Sequence, residues 1–354
     1  MKIFGQEYHP DLLRKLTSNP QQVVSCEQFR SIDGDMLDQR IIRIRNGELE
    51  LEILADRGFD IARVLYRGIP IQWVSPAGFR HSHSFIPSSM EPDGWGWLRS
   101  WQGGFLSTIG IDHVGKPTKL PNRHLHPAVT AERRFTGGYI SLSSASIEKI
   151  DVNWKLGEIT VQANVRQAAP FAEHLVLTRT ILMKIGEPGF ILKDVVRNDG
   201  YIDEPVQILY HINLGWPFLA PGTTLETSCT DLLEKIDTVK PDDDPSIMPE
   251  PIPIDVERVW NWHAKPGLQF VKISNENTAG RGKLMMLLEW NGNELPHFVQ
   301  WRNACESMYV QGLEPSTTGI NGRDMDTSHA GAAPYIRPGE SREFNLKFAF
   351  EGEV

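Results

Sequence analysis

Apolar and polar residues alternate with a period of two along much of this chain. In residues 39–56, Ile42 and Ile44 alternate with arginines, Asn46-Gly47 follows, and Leu49, Leu51 and Ile53 alternate with glutamates. Asn-Gly suits the positive φ angles of a tight type I′ turn, so the two runs are expected to pair as a hairpin. Successive strand side chains point to opposite faces, which sends the aliphatic set to a core and the charged set to water. Strand-like runs recur at 69–74, 139–143, 159–165, 175–183, 190–196 and 205–213, then at 268–273, 284–290, 298–301, 308–313 and 342–350. Turn signals such as Gly186-Glu187-Pro188-Gly189 and Asn198-Asp199-Gly200 separate them. Only residues 9–31 and part of 226–240 suit short helices. So many strands with so little helix predict an all-β protein, an antiparallel sandwich or barrel. The acidic, proline-rich stretch 240–253 reads as a surface loop, because strands resume on both sides of it. Residues 1–354 are expected to form a single β-sandwich domain with an N-terminal extension of about 30 residues.

Composition narrows the function classes. Of 354 residues, 40% are hydrophobic and 23% charged, which is ordinary for a globular chain and unlike a disordered or fibrous one. The net charge of -9 and the lack of a Lys/Arg stripe argue against a nucleic-acid partner. Cys26, Cys229 and Cys305 are too few and too far apart for a disulfide framework or a zinc site. No apolar run is long enough to span a membrane, and the N-terminus turns polar too early for a signal peptide. A soluble cytoplasmic protein without a membrane partner is expected. Whether it pairs as a homodimer is open at this level.

The sequence offers no Gly-rich phosphate loop, no G-x-S-x-G elbow and no CxxC pair. It does place His211 and Asn213 in the apolar run 209–218, where a strand would turn both to one face and Tyr210, Ile212 and Leu214 to the other. Two polar side chains on a face that is not simply solvent suggest a lined cavity; a satisfied core histidine is the bland alternative. Glu314, at a strand end before Pro315, has no sheet-pairing role and suits a cavity mouth, although alone it would be a solvated loop residue. Trp95, Trp97 and Trp101 sit among glycines in 94–104, and flat indole faces suit the C–H faces of sugars as well as they suit a core. His81-Ser82-His83 and His124-Leu125-His126, with Glu132, have residues two apart that would share a strand face and could share a metal.

At these residues the sequence resembles the galactose mutarotase-like superfamily, specifically the uncharacterised bacterial DUF4432 branch of the aldose 1-epimerases. The matching segments are Asp56-Arg57-Gly58-Phe59-Asp60-Ile61, 101–106 with 110–115, Leu125-His126, 209–219, Phe298-Val299-Gln300-Trp301 and Gly312-Leu313-Glu314-Pro315. They run in family order, and the closing strand after Pro338-Gly339-Glu340 also fits. The resemblance implies a large β-sandwich with one open face as the sugar site. It implies that Glu314 acts as general base and His211 as general acid, and that His126 lines the sugar site. Arg57, Trp101, Asp112, His113, Gln300 and Arg302 lie in matching segments and are candidate sugar contacts, with Asn213 beside His211. The chain departs from the family pattern after Leu125-His126, where Pro127-Ala128 replaces Gly-Arg.

Anomer interconversion fits the residue types on their own chemistry. A base removes the C1 hydroxyl proton while an acid protonates the ring oxygen, and the same pair in reverse closes the ring. An ionised carboxylate and a protonated imidazole are expected to coexist near neutral pH for this purpose. No metal or organic cofactor is needed, and the expected ligand is a small-molecule sugar. Two other readings remain: a metal-dependent sugar isomerase or lyase using the His-x-His pairs, and a carbohydrate-binding protein without turnover.

Overall fold

The computed structural model describes residues 2–4, 6–82, 94–121, 128, 131–322 and 335–353. Two large antiparallel sheets dominate them. The larger runs in the order Asp231–Lys235, Arg258–His263, His297–Asn303, Val310–Ser316, Gln207–Leu214, Leu106–Ile111, Asp60–Tyr66, Leu49–Leu54, Arg40–Asn46 and Val24–Arg30, with Ile69–Pro70 added beside Asp60–Tyr66. The smaller runs Ala145–Asn153, Glu158–Ala168, His174–Lys184, Gly189–Asn198, Ser341–Gly352, Leu284–Asn291, Leu268–Asn275 and Thr224–Thr227. This is the all-β sandwich architecture that the period-two pattern predicts.

Alternation decides which faces meet. Ile159, Val161, Ala163 and Val165 of one sheet and Leu49, Leu51 and Ile53 of the other join one core that also holds Tyr210, Ile212 and Phe348. Burying each large apolar side chain contributes about 1.5–3 kcal/mol before chain entropy is counted. The expected hairpin forms, with Asn46 opposite Leu49. That register places the turn on Gly47-Glu48, one residue later than the Asn-Gly reading, with Gly47 at φ +62°. Its charged residues do not all reach water. Glu52 is buried and held by Arg43 and Arg63, so the polar face is stitched by cross-strand ion pairs.

Three local expectations differ from the structure. Residues 140–142 form a 3-10 turn rather than a strand. The stretch 226–240 supplies strands, Thr224–Thr227 and Asp231–Lys235, because pairing with Leu268–Asn275 and Arg258–His263 outweighs local helix preference. Residues 9–31 are helical only over Pro10–Leu16 and Pro20–Gln22, and Val24–Arg30 pairs as an edge strand.

A buried polar cluster joins the two sheets. Arg179 of the smaller sheet donates to its neighbour Asp194 at 2.6 and 2.9 Å and across the core to Asp60 at 3.1 Å. Asp194 also accepts from the Tyr210 hydroxyl at 3.0 Å. Burial opposes the Arg179 charge, but Asp194 and Asp60 override it and hold its pKa above the ordinary guanidinium value. Tyr210 immediately precedes His211, so this cluster anchors the inner side of the strand whose outer side carries the site.

Candidate functional site

The strand Gln207–Leu214 alternates between two environments. Ile208, Tyr210, Ile212 and Leu214 enter the inter-sheet core, while Leu209 packs in a separate cluster on the outer face with Trp73, Trp97, Trp101 and Trp301. His211 follows the outer parity and lines a cavity of about 530 Å³ there. The neighbouring strand pairs Leu209 with Ser316 and Asn213 with Gly312, a register that sets His211 directly opposite Glu314. Their side chains meet, with His211 Nε2 at 3.2 Å from Glu314 Oε1. Two residues far apart in sequence are thus cross-strand neighbours.

Gly312 makes room for this pair. A Cβ there would lie 2.5 Å from Glu314 Oε1 and 3.2 Å from both His211 Cε1 and Trp301 Cβ. Trp301 sits opposite Gly312 on the next strand. Trp101 packs against His211 with ring centroids 4.9 Å apart, and Trp97 stacks on Trp101 at 5.2 Å. Trp73 and Trp301 meet Trp101 at 5.5 Å each. The His211–Glu314 pair therefore sits beside a cluster of indole rings.

Beside that cluster both side chains are largely withdrawn from solvent, which disfavours their charged forms. Burial pushes the His211 imidazole down to about 3, and burial with the Glu257 charge pushes the Glu314 carboxyl well above its ordinary value. Both shifts favour a carboxylic acid beside a neutral imidazole over the ionised Glu and protonated His expected from unperturbed values. Both descriptions hold one proton and no net charge. They differ only in which atom carries the proton.

The other predicted site residues are distributed as follows. Trp101 lines the cavity. Asn213 is buried next to it and donates from Nδ2 to Gly104 O and His211 O, tying the Trp-bearing loop to the His211 strand. Arg57 is buried and donates to Ser100 O at 3.0 Å, bracing the same loop from behind, and burial lowers its pKa to about 10. His113 is fully buried just before the lining segment Val114–Lys116. Asp112 faces elsewhere, accepting from Arg134 and Gln167 in a network with Glu173 beside a second cavity. Gln300 and Arg302 do not line the cavity. Strand parity turns them to the opposite side, where they donate to Pro245 O and to Asp244 O and Ile247 O of the acidic loop. Trp301 between them takes the cavity position, and the alternation itself was the signal for it. His126, with His83 and His124, lies outside the described residues; His81 is buried near Asp56, with Nε2 3.6 Å from Oδ2. Among the described residues no group of three or more His, Cys, Asp or Glu is placed to hold a metal. None of the described helices is long and apolar enough to cross a membrane.

Sequence reasoning also missed Trp73 and Glu257. Trp73 N donates to Asn213 O, and Trp73 O accepts from Gly104 N, so this indole is pinned between the His211 strand and the Trp101 loop. Glu257, exposed at the cavity and just before the strand Arg258–His263, accepts from Trp301 Nε1 at 2.8 Å. No local pattern marks either residue, because each acquires its place from pairing with distant strands.

Solved structures share this architecture. A candidate aldose 1-epimerase from Klebsiella pneumoniae superposes with a TM-score of 0.76 at 19% identity, over 92% of this chain and 83% of that one. A galactose mutarotase-like protein from Clostridium acetobutylicum gives 0.63 at 14% identity, over 93% and 99%. A galactose 1-epimerase from Lactobacillus acidophilus gives 0.59 at 12%, over 94% and 100%. At these identities the likeness establishes the fold, which is galactose mutarotase-like. No curated protein matches the sequence. The model of DUF4432, a domain of unknown function, matches residues 38–350, and the chain belongs to that family.

Proposed function

We propose that this protein is an isomerase that interconverts the anomers of an aldose, with Glu314 as general base and His211 as general acid. The observation that carries the reading is the cross-strand contact of these two groups, 3.2 Å apart on the lining of the cavity. In the reacting form Glu314 holds a carboxylate and His211 the proton. The C1 hydroxyl gives its proton to Glu314, the C1–O bond gains its second bond, the C1–ring-oxygen bond breaks, and His211 protonates the departing ring oxygen. Rotation about C1–C2 presents the other face of the aldehyde, and the reverse transfers close the ring. A pair that holds its one proton on Glu314 reaches the reacting form by moving it to His211, with no proton taken from solvent. Each such group typically supplies about 10²–10⁴ in rate.

Trp101 supports sugar binding in this scheme, because its ring borders His211 and its Nε1 is buried without a described hydrogen-bond partner. Arg57 and Asn213 act on the sugar through the loop they hold. The likeness to galactose mutarotase-like and aldose 1-epimerase structures supports the substrate class. Polarimetry of freshly dissolved α-aldoses tests the reading: accelerated mutarotation that persists in a strong chelator supports it. Loss of the acceleration on chelation favours the metal-dependent alternative. Binding of aldoses without acceleration favours a receptor.

A further inference from the structure

The cavity around His211 and Glu314 is walled for something less polar than a simple hexose. Its floor and sides carry Trp73, Trp97, Trp101 and Trp301, with Ile109, Leu209, Val259 and Val299 between them. Several polar groups on the lining already make a hydrogen bond within the protein: Ser75 Oγ donates to Trp101 O, Glu257 Oε2 accepts from Trp301 Nε1, Asn303 Oδ1 accepts from Cys305 N, and Lys116 Nζ donates to Asn321. Beyond the acid–base pair, the described lining leaves Trp101 Nε1 and Thr136 Oγ1 as buried polar atoms without a described partner. An unsubstituted hexopyranose brings five hydroxyls and a ring oxygen, each of which loses water on entry and needs a replacement partner.

Size and mouth agree. A volume of about 530 Å³ is that of a site for a ligand well above one sugar ring. From His211 the aromatic wall continues through Trp101 at 4.9 Å to Trp97 a further 5.2 Å on. The same lining then includes Trp95 and Leu98, which are 43% and 50% exposed. Large apolar side chains left in water at the rim of a concave site mark a surface that a ligand covers.

We propose that the sugar taken here is amphipathic: a reducing sugar with an aryl, alkyl or acyl substituent away from C1, the substituent lying along Trp101 and Trp97 toward Trp95 and Leu98. The proposal rests on the His211–Glu314 pair being the reacting centre, since that fixes C1 at the floor and sends the far end of the sugar to the mouth. It makes the apolar wall a specificity element. The sugar ring is held by few polar contacts, and the substituent supplies the remaining affinity.

The test compares D-glucose and D-galactose with their 6-O-benzoyl and 6-O-octanoyl derivatives, all free at C1, as substrates of the full chain in anomer-exchange NMR. The expected kcat/KM for the substituted sugars is higher by about tenfold or more, the gain from removing about 55 Å² of apolar surface from water. In the Trp95→Ala/Leu98→Ala variant that preference falls toward one. Equal or faster exchange of the unsubstituted hexoses overturns the proposal and leaves the mutarotase reading standing, as does a preference that the double variant leaves unchanged. Absence of exchange for every sugar overturns the mutarotase reading instead. Tryptophan-fluorescence titration with the same sugars then decides the proposal: tighter binding of the substituted forms, lost in the double variant, supports it, and equal or absent binding sinks it.

Discussion

Replacing Arg179 by Met should destabilise the protein strongly although the residue touches no part of the cavity. Arg179 is fully buried between Asp194, at 2.6 Å, and Asp60, at 3.1 Å, and both carboxylates are themselves buried. Met fills much of the volume, so the loss is electrostatic rather than a void. Asp60 would keep the Thr108 amide and hydroxyl and the nearby Arg57 charge, whereas Asp194 would keep the Tyr210 hydroxyl but no countercharge among the contacts described. Removing one partner of a buried ion pair typically costs about 3–5 kcal/mol. Asp194 loses its only described countercharge, so that range applies at pH 7. Each stranded carboxylate escapes by taking up a proton, which becomes easier as pH falls, so the loss should shrink on acidification. Thermal unfolding of wild type and variant at about pH 7 and about pH 5 measures this, with the triple variant Arg179→Met/Asp60→Asn/Asp194→Asn expected to recover most of the loss. A loss below about 1 kcal/mol at neutral pH, with no pH dependence, would refute the reasoning.

Gly312→Ala is expected to lower kcat by about a hundredfold or more, because its Cβ would stand 2.5 Å from Glu314 Oε1 and push the carboxyl off His211; activity within threefold of wild type, by polarimetry, would count against this packing argument. The pH profile of kcat/KM should stay flat on the acid side well below 6.5, since the one-proton pair is lost only when a second proton reaches an imidazole held near 3. Because Glu314 is raised, the pair also keeps its proton as pH climbs past the ordinary carboxylate value of 4.5; an acid limb centred near 6.5 would contradict the burial account. Glu314→Gln should leave the melting temperature at pH 7 equal to or above that of wild type. A carboxyl with a raised folded-state pKa gives stability that is fully present below 4.5 and is lost as pH rises toward the folded value, so the advantage of Gln should vanish near about pH 4. A lower melting temperature at neutral pH would contradict it.

The strands were legible because their signal is local. Ile42/Ile44 and Leu49/Leu51/Ile53 state their face by alternation, and the same rule separates Tyr210 from His211. Residues 226–240 were misread because their strand state comes from partners near 268 and 258, and residues 140–142 because a short apolar run does not distinguish a strand from a buried turn. In the site, His211 stood out as a polar group in an apolar run. Glu314, expected at a strand end with no pairing role, instead lies inside the strand Val310–Ser316 and pairs with Val299, because the strand runs on through Pro315. Gln300 and Arg302 drew attention because they lie in a segment matching the family, yet parity gives the cavity to Trp301. The direction of the two pKa shifts was illegible, since it follows from burial beside Trp101 and Trp301, which reach His211 only in three dimensions. The need for glycine at 312 is of the same kind, being a clearance between three strands.

The central claim is that the buried Glu314–His211 pair opens and closes a sugar ring, and saturation-transfer NMR of α/β exchange tests it most directly. Across a panel of aldoses that includes 6-O-acylated forms, wild type should accelerate exchange for at least one sugar. Glu314→Gln should return that sugar to the uncatalysed rate while its dissociation constant stays within a few-fold. Exchange at the wild-type rate in Glu314→Gln, or no acceleration by wild type for any sugar in the panel, would contradict the account.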